Sequence, residues 1–189
     1  MLNSLLSANG ANRSMISVYI DGYFQEPYEL AKLYGLRVVQ HKPVGRANAR
    51  ISQHYYFSLN DLFSSHSASD FAIIFEEDLI VSPDVFSYFS QTKHLLLEDP
   101  SIYCISAFND NSYLHSSSDE ALCYRVETMP GLGWMLTREL WENELKPKWP
   151  SPRHNWDWDL VGVWFRFFFQ SGSNLVRANE QTFKWKAIY

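Results

Sequence analysis

Three carboxylates stand side by side at Glu76-Glu77-Asp78, directly after the apolar run Phe71-Ala72-Ile73-Ile74-Phe75. Adjacent acids repel one another unless water, a cation or a cationic group offsets their charge, and hard carboxylate oxygens suit a divalent ion such as Mn2+ or Mg2+. A solvated acidic turn has the same composition, so the triplet alone leaves both readings open. Asp21 follows another apolar run, Ile16 to Ile20, and is either ligand-facing or a turn aspartate satisfied by local backbone. His54 lies in an amphipathic stretch, where a lone histidine is more often a surface or core-edge residue than a functional one. Further on, Trp156-Asp157-Trp158-Asp159 alternates aromatic and acid. Either the tryptophans pack inward and the aspartates face water, or the aromatic faces border a sugar while one carboxylate acts as a base. The glycines of Pro130-Gly131-Leu132-Gly133-Trp134 let the backbone come close to a ligand or to a neighbouring strand.

The elements that must position these groups alternate in type. Residues 1–8 read as a helix stopped by Asn9-Gly10, and residues 16–20 as a strand. A helix over 26–34 ends at Gly35, and a strand follows over 36–40. Residues 48–64 carry Ile51, Tyr55, Leu59 and Leu62-Phe63 at helical spacing. Residues 71–75, rich in β-branched and aromatic side chains, predict a strand buried on both faces. Ser82-Pro83-Asp84 offers an N-cap, a proline at N1 and an acid in the first turn, so a helix is expected from 83 to about 98. Strands over 101–107 and 122–126, a helix over 137–145 and an extended, proline-fixed connector over 146–152 complete the series. Such alternation implies an α/β fold with parallel pairing and right-handed crossovers. In an open sheet of that kind the carboxyl ends of the strands face the ligand crevice, where both Asp21 and the acidic triplet stand.

Composition bounds the function. The chain has 189 residues, 46 % hydrophobic, 16 % aromatic and 20 % charged, which fits one domain with a real core. A net charge of −5 with no basic stripe argues against a nucleic-acid partner. No apolar run reaches the length of a membrane span, and no signal peptide opens the sequence. Two cysteines, Cys104 and Cys123, do not by themselves diagnose an oxidising compartment, nor does the sequon Asn12-Arg13-Ser14.

Four motifs in order decide among these readings: Glu76-Glu77-Asp78-Leu79; Tyr103-Cys104-Ile105-Ser106-Ala107 with Asn109-Asp110; Tyr124-Arg125-Val126-Glu127-Thr128-Met129-Pro130-Gly131-Leu132-Gly133-Trp134; and Lys148-Trp149-Pro150 leading to Trp156-Asp157-Trp158-Asp159. Over about residues 5 to 160 the sequence resembles the inverting β-1,2-N-acetylglucosaminyltransferases. The longest motif and the Trp-Asp-Trp-Asp form are closest to the branch acting on protein O-linked mannose; the branch acting on N-glycan mannose is its near relative. The resemblance implies transfer of GlcNAc from UDP-GlcNAc to the 2-hydroxyl of an α-mannose on a glycoprotein acceptor, with Mn2+ as cofactor, at the lumenal side of the Golgi membrane. It implies the A-type glycosyltransferase fold, a nucleotide-sugar-binding α/β sandwich with a mostly parallel sheet. By the same resemblance Asp78 matches the Mn2+ ligand, and Glu76 and Glu77 match contacts to the donor's sugar and ribose. Asp21 and His54 match donor-site residues, Asp21 at the uracil end. Asp159 matches the general base, with Trp158 as the wall beside it.

Departures from the family pattern accompany the match. The family's catalytic domain begins with another strand and a Gly-Asn-Arg-Pro-type turn, and Met1 falls after it. Beyond Leu160 the expected Trp-Met-Arg segment and a cysteine-bearing stretch give way to Trp164-Phe165-Arg166-Phe167-Phe168-Phe169 and an unpatterned polar tail. The expected organisation is a catalytic domain over 1–160, incomplete at both ends of the sheet, and a divergent tail over 161–189. Cys104 is thereby expected to lack its family disulfide partner. The alternative functional reading is a carbohydrate-binding protein of the same fold without turnover.

Overall fold

The computed structural model describes residues 1–108, 122–126 and 132–153, and the backbone of 186–188. Its helices and strands follow from local signals. Helix α1 (Leu2–Ser7) is followed by a single 3-10 turn, Arg13–Met15, which Asn12 caps by accepting the Ser14 backbone N–H at 3.1 Å. Strand β1 (Ser17–Asp21) leads to α2 (Gln25–Leu33), and Gly35, at a φ of +72°, turns the chain into β2 (Arg37–His41). Helix α3 (Ala47–Ser65) buries Ala49, Ser52, Tyr55, Leu59 and Phe63, the three-and-four spacing of an amphipathic helix. Then come β3 (Phe71–Ile74), α4 (Val85–Thr92), α5 (Leu95–Glu98) and β4 (Ile102–Ser106). Strands β5 (Arg125–Val126) and β6 (Trp134–Thr137) follow. Thr137 then caps α6 (Arg138–Leu140), which continues through one π turn, Trp141–Leu145, into α7 (Lys146–Lys148). Strand β7 (Lys186–Ile188) completes the described chain.

The described strands form two sheets. Strands β1 and β2 pair in parallel, Asp21 opposite His41. A second sheet has the order β3-β6-β4-β7-β5. Within it β6 is antiparallel to both β3 and β4, β7 is parallel to β4, and β5 is antiparallel to β7. The expected α/β architecture therefore holds, but the expected preponderance of parallel pairing does not among the described strands. The reason lies in β6. Strands β3 and β4 run the same way, and one antiparallel insert supplies backbone partners to the facing edges of both. Alternation of elements along the sequence is blind to such an insertion.

Helices cover both faces of this sheet. On one side Tyr55, Leu59 and Phe63 of α3 pack with Ala72, Cys104, Trp134, Leu136, Trp141 and Leu145. On the other, Ala8, Val85, Phe89 and Leu96 pack with Ile102, Ile105 and Met135. Strand β6 shows the two-residue period directly: Trp134 and Leu136 enter the first cluster and Met135 the second. Arg138 ties the layers together. Its guanidinium donates to the carbonyls of Phe63 (2.9 Å), His66 (2.7 Å) and Ser69 (3.0 Å) and lies over the Phe63 ring. It thereby satisfies carbonyls left open at the end of α3 and fixes the entry to β3.

Several local expectations are corrected. Strand β3 is not buried on both faces; of its four residues only Ala72 is buried, because its free edge and those of Ser17–Tyr19 line a common cavity rather than a continuous sheet. Pro83 does not open a helix at N1: α4 starts at Val85, and Ser82 spends its hydroxyl on the Asp84 carboxylate instead of on backbone N–H groups. The helix also breaks at Lys93-His94, which lets Leu96 turn inward while Leu97 stays exposed. Lys146–Lys148 are helical, and the extended connector starts only at Trp149. Gly133, at a φ of +65°, uses its freedom for strand packing. A Cβ there would meet the Phe75 ring at 3.4 Å, and its carbonyl accepts the Ala107 N–H at 2.8 Å. Residues 186–188, assigned from sequence to an unpatterned tail, form β7 inside the sheet. Both cysteines are free; Cys104 is buried in the first cluster and Cys123 is exposed.

Candidate functional site

The carboxyl ends of β1, β2 and β3 and the N-terminal half of α3 meet at one side of the molecule. Between β1, α3 and β3 lies a cavity of about 770 Å³. Most of its wall is apolar, from residues such as Leu5, Ile51 and Phe71, but Asp21, His54, Tyr55, Glu76 and Glu77 line it as well. Of the residues expected from sequence, Asp21, His54, Glu76 and Glu77 are thus brought to one place. Asp78 stands next to them in the exposed turn after β3. Trp158 and Asp159 lie outside the described residues. The connector that leads to them is anchored on α3, however. The Trp149 indole donates to the Ser52 carbonyl at 3.1 Å, and the Gln53 amide donates to the Pro150 carbonyl at 2.8 Å.

Each side chain is held by neighbours. The Asp21 carboxylate accepts from Nε of Arg50 at 2.5 Å, while a terminal guanidinium nitrogen of Arg50 donates to the Asp21 carbonyl at 2.9 Å. The other carboxylate oxygen of Asp21, Oδ1, is buried and has no hydrogen-bond partner among the described residues. His41 and His54 face each other with Nε2 and Nδ1 only 2.7 Å apart, and His41 stacks on Phe57 at 4.1 Å between ring centroids. Burial depresses the pKa of His54 below the usual histidine value, and the neighbouring His41 adds to the effect against the pull of Asp21 and Glu77. His54 is accordingly a neutral imidazole at physiological pH. Tyr55, whose hydroxyl burial makes harder to ionise, donates to Oε1 of Glu76 at 2.6 Å. Burial raises the pKa of Glu76, and the charges of Asp78 and Glu77 raise it further, while the Tyr55 hydrogen bond opposes them.

The acidic turn has the donor chemistry of a hard divalent ion. Its oxygens are carboxylate oxygens, and the charges of Asp78 and Glu77, which add to the effect of burial in raising the Glu76 pKa, are ones a cation would offset. It does not gather three protein ligands at one point; among the described residues only Asp21, His41 and His54 do that. A cation at the turn would therefore take one or two carboxylates from the protein and the rest of its shell from ligand or water, as Mg2+-type sites do.

Three residues of this region escaped the sequence reading: His41, Arg50 and Tyr55 in its hydrogen-bonding role. The signals existed. Parallel pairing of consecutive strands puts the residue ending β2 beside the one ending β1, hence His41 beside Asp21. Arg50 and His54 are four apart on one helix face. Without the pairing register neither relation distinguishes these residues from ordinary surface groups.

Comparison with known proteins follows this geometry. A profile of the GNT-I family matches residues 31–167. Over 102 residues the chain is 41 % identical to the α-1,3-mannosyl-glycoprotein 2-β-N-acetylglucosaminyltransferase of Arabidopsis thaliana. That alignment covers 54 % of this chain and 22 % of the relative, so the matched segment spans about a fifth of the relative's length.

Proposed function

This chain belongs to the GNT-I family, and from that premise we propose that it carries the donor end of an N-acetylglucosaminyltransferase site. The reaction is transfer of GlcNAc from UDP-GlcNAc to the 2-hydroxyl of an α-mannose on a glycoprotein, with inversion at the anomeric carbon. The observation that carries the reading is that Asp21, His54, Glu76 and Glu77 line one cavity at the carboxyl ends of β1 and β3, with Asp78 next in the turn. Those are the positions that match the family's donor residues.

In this reading Asp21 and His54 take the uracil end of the nucleotide. Arg50 pins Asp21 from behind, and a neutral His54 can both donate and accept hydrogen bonds to a base edge. Glu76 and Glu77 hold ribose and sugar hydroxyls; the Tyr55 hydroxyl keeps Glu76 oriented and favours its carboxylate form. Asp78 would hold Mn2+, and ligand or water oxygens would supply the rest of its shell. When bound, that ion stabilises the negative charge left on the departing diphosphate. The mannose O2 forms the new bond to the anomeric carbon as the bond to UDP breaks, and its proton goes to the carboxylate of Asp159. Trp158 forms the wall beside that base. The site is assigned to the lumen of the Golgi, where such donors and acceptors meet. The Trp-Asp-Trp-Asp motif favours an O-linked mannose acceptor, and the Arabidopsis relative is named for an α-1,3-mannosyl-glycoprotein.

Incubating the protein with UDP-GlcNAc, Mn2+ and either an O-mannosyl peptide or an N-glycan core tests the proposal. A β-1,2-linked GlcNAc product is expected with one acceptor. Asp159→Asn should retain UDP-GlcNAc binding and lose transfer on the order of 10²–10⁴-fold, since the base acts on the acceptor alone. Absence of product with both acceptors, or an Asp159→Asn variant as fast as the parent, would contradict it.

A further inference from the structure

Asp21, His41 and His54 come from three different elements, the ends of β1 and β2 and the second turn of α3, yet each brings a ligand atom to within 4.8 Å of the other two. The set is distinct in chemistry from the acidic turn: two imidazole nitrogens and one carboxylate, the donor mixture of zinc-type sites rather than of Mn2+ or Mg2+.

The surroundings suit a ligating tautomer of His41. Its Nδ1 lies 3.2 Å from the Lys42 carbonyl oxygen, which can only accept; with the single ring proton on Nδ1, Nε2 would present its lone pair. That is the outer-shell arrangement, backbone carbonyl to histidine, that orients metal-ligating imidazoles. Nε2 of His41 faces Nδ1 of His54 at 2.7 Å. The buried Oδ1 of Asp21 has no hydrogen-bond partner among the described residues, because Arg50 occupies only Oδ2. An unsatisfied buried carboxylate oxygen is costly, and a cation is the partner that removes the cost. His41 is buried and held by the Phe57 stack, so the pair is preorganised.

We propose that Asp21, His41 and His54 form a second metal site, selective for a borderline nitrogen-loving cation of the Zn2+ type, with water or solute as fourth ligand. Binding requires a change of tautomer in His54: the N–H bond at Nδ1 breaks and one forms at Nε2, with solvent carrying the proton between them, so that the ring stays neutral and both facing lone pairs reach the ion. Zn–N bonds of about 2.0–2.1 Å in a tetrahedron require the two nitrogens to stand roughly 3.3 Å apart. The ion thus opens the His41–His54 pair by about half an ångström and draws in the Asp21 carboxylate. One consequence rests on the donor reading above. An ion held by Asp21 and His54 excludes a uracil from the same two residues, so Zn2+ opposes nucleotide binding.

The test uses the full chain, stripped with chelator and titrated with Co2+ and with Zn2+ in the absence of nucleotide. One equivalent of Co2+ should develop the intense visible bands of a tetrahedral site, and Zn2+ should displace it. His41→Ala should weaken Zn2+ binding on the order of a hundredfold or more, since loss of even an outer-shell partner costs about 10–100-fold. His41→Cys keeps a ligand and should add a thiolate-to-cobalt charge-transfer band, a gain of signal that misfolding cannot mimic. Asp78→Ala should leave the Co2+ spectrum unchanged. No saturable Co2+ binding, binding indifferent to His41→Ala, or no new band in a folded His41→Cys protein would each overturn the site. A Co2+ site that forms normally without excluding UDP would leave the metal assignment standing and count against the donor reading instead.

Discussion

At the scale of single residues, environment rather than type decides which acids and thiols can act. Glu76 shows this best. Burial and its two acidic neighbours raise its pKa, and the Tyr55 hydroxyl holds it back. Donor binding that needs the carboxylate is present above that pKa and is lost as pH falls through it. Removing the Tyr55 hydrogen bond raises the pKa further, so Tyr55→Phe should move the acid limb of UDP affinity, measured by calorimetry over about pH 4 to 7, toward higher pH. An unchanged limb would show that Glu76 does not control binding. The cysteines differ in the same way. Burial pushes the Cys104 thiol up to about 12, whereas Cys123 is exposed. In native protein a thiol reagent should therefore modify one group quickly and the second only on unfolding. Finding a Cys104–Cys123 disulfide would contradict both the geometry and the expectation that Cys104 stays reduced. The acids and the histidine were legible in the sequence because chemistry-bearing types at strand ends are conspicuous. Arg50 and His41 were not, because their roles arise from pairing register.

At the scale of elements, the local signals translated well where one residue type dominates the outcome. Gly35 ends α2, the apolar spacing over residues 51–63 gives α3, and Thr137 caps α6 through its hydroxyl. They failed where two signals competed. Ser82 and Asp84 satisfied each other rather than the helix, and the apolar residues after 93 could not all face inward on one continuous helix. Arg138 is the element-scale keystone, since its guanidinium closes the end of α3 and fixes the start of β3, the two elements that present Tyr55 and Glu76. Arg138→Met keeps the bulk and removes the donors to the Phe63 and Ser69 carbonyls, while the His66 carbonyl keeps the Ser69 N–H. It should cost about 2–4 kcal/mol, read as a lower urea midpoint at unchanged slope. A loss within experimental error would mean that the carbonyls find water as readily.

At the scale of the whole molecule, the α/β class was readable from alternating elements, and helices cover both faces of the larger sheet. Pairing direction was not readable, because no strand was expected over Trp134–Thr137, and β6 is the strand that enters antiparallel between β3 and β4. Among the described strands two sheets reach the site, and the cavity between β1 and β3 is lined by Asp21 of the smaller sheet and by Glu76 and Glu77 of the turn after β3. The central claim is that this juncture is a donor site completed by Mn2+ at Asp78. Calorimetric titration of UDP-GlcNAc into the protein and into Asp78→Ala, each with and without Mn2+, tests it most directly. The account predicts saturable binding only for the parent with Mn2+, with the Asp78→Ala protein folded but silent. Binding indifferent to Mn2+ or to Asp78, or no binding under any of the four conditions, would contradict it.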